Sequence, residues 1–310
     1  MCPIRKVTTM LDAPRAGPDP ERPMSTTPDR RSPTIARRRL SRELRRLRLD
    51  AGLTADKVRG DIDLSQGKMN RLETGIGPQP NMSDIRVLLD YYKVSGEEKE
   101  ALLNLARLSR ERGWWEKEYA DVLGNAYAGF EAEAARIHTY QPLVIPGLLQ
   151  TVPYARAAIR GGLIRDPEEI QRRIDFRMTR QRILDHPDPP HLWAVLDEAA
   201  VARPFGTASE REEQLQRLID TGESEHITVQ VIPFSAGMHP GLACSFTLLE
   251  YAEDPTIVHI EMGRNALYLE QPEDIESHRL KYQHLLAAAL DKDSSVAFLT
   301  KLRDQVKAGT

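Results

Sequence analysis

Cysteine is almost missing from these 310 residues: Cys2 and Cys244 are the whole complement and lie far apart. That excludes a disulfide framework or a four-thiolate metal site and fits a reduced, cytoplasmic setting. Long apolar runs are missing as well. No stretch approaches the roughly 18 residues needed to cross a bilayer, so no membrane partner is expected. The opening thirty residues carry charge without the apolar segment of a secretory signal. Catalytic signatures are also wanting. The eight histidines, His138 and His239 among them, form no HExxH and no Cys/His quartet. Ser235 and Ser245 lack the GxSxG elbow, and the adjacent carboxylates Asp197 and Glu198 come with no evident substrate site. Cys244 reads as a small buried hydrophobe at the start of a strand. The chain is therefore read as a non-enzyme with no metal and no cofactor.

What is present begins with a tail. Residues 1–33 are rich in Pro, Asp, Arg and Thr and poor in apolar side chains, which predicts disorder, with Met10 and Met24 as further candidate initiators. Charge then divides unevenly. Residues 1–112 hold 23 Lys+Arg against 16 Asp+Glu, leaving 20 against 30 for residues 113–310. A basic front and an acidic rear imply different partners. Eight arginines fall within residues 31–50, a density suited to a polyanion or to a solvated helix face.

Leu40, Leu44 and Leu47 recur at helical spacing, predicting an amphipathic helix ended by Gly52. Thr54 and Ser65 are placed to cap two short helices that bury Val58 and then Met69 and Leu72, with a turn near 61–64 and a stop before Gly75. Two such helices need flanking support. Further helices carrying Ile85, Leu88, Leu89 and Leu102 supply it, so residues 34–112 are expected to form a five-helix, all-α unit with Leu44, Leu47, Leu53, Val58, Met69, Leu72 and Leu88 in its core. Trp114 and Trp115 then mark either packing against the next unit or an exposed contact patch.

Beyond residue 120, EAEAARIHTYQPLVIPGLLQTVPYARAAIR reads as a helix, an apolar loop and a second helix, and EEIQRRIDFRMTRQRIL as another. HLWAVLD, HITVQVIPF, CSFTLLEY, TIVHIE and ALYLE read as strands of a mostly antiparallel sheet, with helices near 210–219, 273–289 and 293–307 covering one face. Residues 113–310 are thus expected to be an α+β domain.

With Met69 and Leu72 directed inward, a 100° step per residue turns Gly67, Asn70, Arg71 and Thr74 outward, and Gln66 projects from the leading turn. Gln66 and Asn70 suit paired donor and acceptor contacts to adenine, and Arg71 could reach guanine or a phosphate. Gly67 costs roughly 1 kcal/mol of helix propensity but permits close backbone approach. Arg38, Arg42, Arg45, Thr54, Ser65 and Lys68 are the candidate phosphate contacts. An ordinary helical hairpin of a soluble bundle is the plainer reading of the same residues.

The run GLTADKVRGDIDLSQGKMNRLETG followed by NMSDIRVLLDYYKV resembles the helix-turn-helix domain of phage-repressor-like regulators, the Xre family. Leu53, Thr54, Val58, Ser65, Gln66, Lys68, Arg71, Glu73 and Gly75 carry the register over about residues 38–95. The resemblance implies binding of double-stranded operator DNA, commonly by a homodimer. Ser65 would cap the recognition helix, Gln66, Gly67 and Arg71 would face bases, and Thr54 would lie near the DNA backbone. The chain departs from the family pattern at Ala55, where glutamine is usual, at Arg59, where a small residue is usual, and at Asp63, where glycine is usual. SRERGWW, RQRILDHPDPPHLWAVLDEAAVARPFG and ITVQVIPFSAGMHPGLACSFTLLEY resemble the C-terminal domain of actinobacterial regulators described as antitoxin-like. That similarity implies a protein-protein role, often with a small protein encoded by an adjacent gene, for which Trp114, Trp115 and His239 are candidate contacts. Two functions remain in view: a sequence-specific transcriptional regulator, and a module that sequesters a small partner with auxiliary DNA binding.

Overall fold

The computed structural model describes residues 30–122, 125–263 and 265–309, apart from the side chains of Asn125 and Ala126. The disorder expected for the tail falls outside the described residues over 1–29. Residues 30–33 are ordered instead, because Arg30 Nε donates to the Ala132 carbonyl at 3.1 Å and Ser32 caps the first helix.

That helix, α1 (Pro33–Asp50), opens on a proline whose missing N–H costs nothing at this position. There follow α2 (Ala55–Asp61), α3 (Gln66–Thr74), α4 (Met82–Tyr91) and α5 (Gly96–Leu108). Leu40 and Leu44 of α1 bury against Val58, Met69, Leu72, Ile85 and Leu88, one inward stripe from each of the first four helices. Leu47 and Leu53 pack on this core while remaining half-buried.

Two short helices, α6 (Trp114–Glu118) and α7 (Asn125–Glu131), lead into the rear region. The first departure from expectation comes next. Arg136–Gln141, expected to be helical, is strand β1, and it lies inside the sheet between β2 (His191–Asp197) and β4 (Phe246–Glu250). The Glu/Ala-rich lead favours helix, but Ile137, Thr139 and Tyr140 are β-formers, and pairing on both sides overrides local propensity. Between β1 and β2 run α8 (Val152–Gly161) and α9 (Pro167–Gln181), then α10 (Glu198–Ala202) and α11 (Ala208–Thr221) lead to β3 (Ile227–Ile232). After β4 come the hairpin β5 (Ile257–Met262) and β6 (Asn265–Leu269), and the helices α12 (Pro272–Ala288) and α13 (Lys292–Ala308).

The six strands run in the order β3-β2-β1-β4-β5-β6. β1 pairs parallel with β2, and β2 with β3; the other three pairings are antiparallel, so the sheet is mostly antiparallel and the rear region is α+β. Helices cover both faces rather than the one expected. Ile137, Leu192, Ala194, Val229 and Val231 face α11 and α13, while Tyr140, Val195, Phe246 and Val258 face Ile275, Tyr282 and Leu285 of α12. The strands of a sheet covered twice must be apolar on both sides.

α1 belongs to two cores. Its first turn places Ile35, 2% exposed, in the large cluster with Phe130, Ile137 and Leu249, whereas Leu40 and Leu44 lie in the front cluster. It crosses α7 so closely that a side chain at Gly129 would collide with Thr34.

Candidate nucleic-acid interface

α2 and α3 are held at both ends by their own residues. Thr54 Oγ1 accepts from the Lys57 N–H at 3.2 Å and Ser65 Oγ from the Lys68 N–H at 3.3 Å, each satisfying a backbone donor that the helix leaves open. Between them Asp63 adopts a left-handed φ of 53°, a conformation Asp tolerates better than most residues. Gly75 ends α3 at φ 69° with its N–H on the Arg71 carbonyl. Arg59 turns outward to Asp56 on its own helix at 2.8 Å rather than into the α2–α3 crossing.

Met69 and Leu72 are buried, and Gln66, Gly67, Lys68, Asn70, Arg71 and Thr74 lie on the outward side, along with Thr54 and Ser65. The side chains are not equally free. Thr74 Oγ1 donates to the Asn70 carbonyl at 2.9 Å, and Lys68 Nζ lies 3.2 Å from Asp84. The Arg71 stem crosses Gly77, where a Cβ would come within 2.9 Å of Cδ, and its guanidinium returns over Gly67. A Cβ at 67 would meet Arg71 Nη1 at 3.4 Å, an ordinary contact, so Arg71 does not itself require glycine there. Beside these residues a cleft of about 130 Å³ is lined by Arg37, Ser41, Lys68, Arg71, Gln79 and Asn81 among others.

α3 is fixed to α1 by a pair that sequence reasoning missed. Arg48 Nε and Nη2 donate to Glu73 at 2.6 and 2.8 Å, and Nη1 donates to the Leu53 carbonyl at 2.8 Å. Both side chains are nearly closed to solvent, at 10% and 11% exposed, so this arginine of the basic run is a brace rather than a wet-face charge. Glu73 at the end of the recognition segment was the available signal.

The basic run divides further. Arg38 and Arg42, expected at phosphates, turn to the rear region instead. Arg42 Nη2 donates to Asp254 Oδ1 at 2.8 Å, Arg39 Nε to Asp254 Oδ2 at 3.0 Å, and Arg38 pairs with Glu270 while lying 5.1 Å over the Phe130 ring. Burial pushes the Asp254 carboxyl up, but hydrogen bonds from Arg39 and Arg42 outweigh it and hold it below its ordinary value. The Ser32 N–H donates to Glu133 at 3.0 Å and Arg39 lies 3.4 Å from the same carboxylate. A local charge count cannot show this, because the acidic partners come from distant loops. Arg45 remains exposed.

The family profile described as "Helix-turn-helix domain" matches residues 39–102, and that described as "Domain of unknown function (DUF5753)" matches residues 125–301. The chain belongs to the DUF5753 family. No curated protein and no solved structure matches it. The acidic residues that receive Arg38, Arg39 and Arg42 from the rear region, Glu133, Glu253, Asp254 and Glu270, lie inside the DUF5753 segment.

Within that segment and at its entrance, the expected contact residues turn inward. Trp115 is 1% exposed among Val122, Ala128 and Phe176, and Trp114 packs on Phe176 and Tyr119. His239 has its ring buried, with Nε2 donating to Asp197 Oδ2 at 3.2 Å. Packing thus engages these side chains, with Trp115 and the His239 ring buried and Trp114 half-buried. Cys244 is exposed, not buried, because β4 begins only at Phe246 and the thiol lies in the preceding loop. Among the described residues no group of three or more His, Cys, Asp or Glu is placed to hold a metal ion, and no helix is long and apolar enough to cross a membrane.

Proposed function

We propose that this chain is a sequence-specific DNA-binding transcriptional regulator that enters the major groove with α3. Gln66, Asn70 and Arg71 read base edges, Gly67 allows the helix backbone to approach, and Thr74 borders the read sequence. Thr54, Ser65, Lys68 and Arg45 meet phosphates. The observation that carries the reading is that Gln66, Asn70 and Arg71 share an exposed face of a helix capped at both ends, while it is Arg38, Arg39 and Arg42 of α1 that engage the acidic rear region. The protein works in the cytoplasm as a homodimer on operator DNA. Residues 34–112 form the DNA-binding unit, and residues 113–310 form an antitoxin-like regulatory domain of the actinobacterial type that meets a small protein encoded nearby.

Selection of bound fragments from the organism's own DNA tests this directly. A recurrent sequence that loses enrichment in Arg71→Ala supports it; uniform recovery of all fragments by both proteins overturns it.

A second reading draws on the engagement of Arg38, Arg39 and Arg42 by Glu270 and Asp254, which withdraws positive charge from a polyanion. In that reading the chain sequesters its small partner and DNA contact is auxiliary. Tight co-purification of the partner with the full chain, together with non-specific DNA binding only, distinguishes it.

A further inference from the structure

The sheet has two edges, and they are treated differently. At β3 the edge is occupied: the Leu290 N–H donates to the Val231 carbonyl at 2.9 Å, the Val231 N–H donates to Ser295 Oγ at 3.0 Å, and Gln230 Nε2 donates to the Leu290 carbonyl at 2.7 Å. The segment leading into α13 therefore closes that side. At the other end, β6 pairs with β5 alone, and among the described residues no further backbone partner reaches Asn265–Leu269.

An open edge is ordinarily guarded by proline, lysine or a bulge. β6 reads Asn-Ala-Leu-Tyr-Leu and has none of these guards; its register with β5 runs unbroken from Met262↔Asn265 to Val258↔Leu269. The strand is also apolar where it is exposed: Leu267 is 43% exposed and neighbouring Met262 50%.

We propose that β6 is the edge through which two copies of this chain pair, antiparallel and about a two-fold axis at Leu267, into one continuous sheet. A strand that meets itself must be complementary to itself under that axis. Centred on Leu267, the pairing sets Leu267 against its own copy, Ala266 against Tyr268 and Asn265 against Leu269, with no like charges opposed. Glu270 engages Arg38 through Oε1 and is still 44% exposed. The edge is thereby linked to α1, and a two-fold there fixes the relative placement of two α3 helices, as two half-sites of an operator require. The inference rests on the dimeric regulator reading and names the surface it uses.

The test uses the full chain in a Cys2→Ser, Cys244→Ser background. Sedimentation equilibrium is expected to show a dimer whose dissociation constant rises at least about tenfold in Leu267→Lys, with an unchanged circular-dichroism melt showing that the fold is kept. Under mild oxidation Leu267→Cys should give a disulfide-linked dimer, and Leu280→Cys, an exposed control on α12, should not. A dimer insensitive to Leu267→Lys, or one trapped by Leu280→Cys and not by Leu267→Cys, overturns the inference while leaving DNA reading by α3 intact. A chain that stays monomeric alone and pairs through β6 only with a smaller protein overturns it too.

Discussion

Arg42 and Asp254 lie 212 residues apart in sequence, and Nη2 of one donates to Oδ1 of the other at 2.8 Å. With Arg39 on the second carboxylate oxygen, this contact links the helix that braces the recognition segment to the loop between β4 and β5. The rear region thus controls part of the positive charge of α1.

Asp254→Ala should release that charge. The carboxylate is 5% exposed but its arginines are 27% and 38% exposed, so solvent screens part of the interaction. A stability loss of about 1–2 kcal/mol is expected by urea unfolding. On random duplex, fluorescence anisotropy across a salt series should show tighter binding and a salt slope steeper by about one to two. An unchanged slope would mean that Arg39 and Arg42 do not reach phosphates even when freed.

Glu73→Gln leaves the Arg48 guanidinium nearly closed to solvent without its charge partner. The expected cost is about 3–5 kcal/mol, read as a lower urea midpoint, and the double change Arg48→Met, Glu73→Leu should recover much of it. Full stability in Glu73→Gln would show that the pair does not brace α3.

His259, on β5 between the Tyr127 and Tyr268 rings, has its pKa lowered to about 4 by burial and by Arg180. The folded state keeps this imidazole neutral while the unfolded chain protonates near 6.5. Between those values the unfolded state binds more protons, so the contribution falls as pH drops from about 6.5 toward about 4 and is constant above and below. Urea unfolding free energies at pH 7.5 and 5 should differ by about 2 kcal/mol more in the parent than in His259→Gln. Equal pH dependence in the two proteins would place the titration elsewhere.

The front region was readable because its signals are local. Thr54, Ser65 and Gly75 announce helix ends by chemistry that acts within a few residues, and Met69 and Leu72 set the inward face of α3 by spacing alone. The rear strands from His191 onward were readable from their Val- and Ile-rich runs. β1 was not, because Ala and Glu precede it and its strand character comes from partners at 191–197 and 246–250. The coverage of both sheet faces follows from where α12 docks, which no single segment encodes. Arg38 and Arg42 escape a local reading for the same reason: their direction is decided by Glu270 and Asp254, and the nearby arginine density has no information about them. Cys244 shows a boundary error, since the strand it would open starts only at Phe246.

The central claim is that Arg71 reads sequence from α3. Its most direct measurement is the ratio of dissociation constants for the selected operator and a random duplex of equal length, in parent and Arg71→Ala proteins at one salt concentration. The account predicts that the ratio collapses by about ten- to a hundredfold in Arg71→Ala with random-duplex affinity reduced much less. Equal losses on both duplexes, with the ratio preserved, would contradict it.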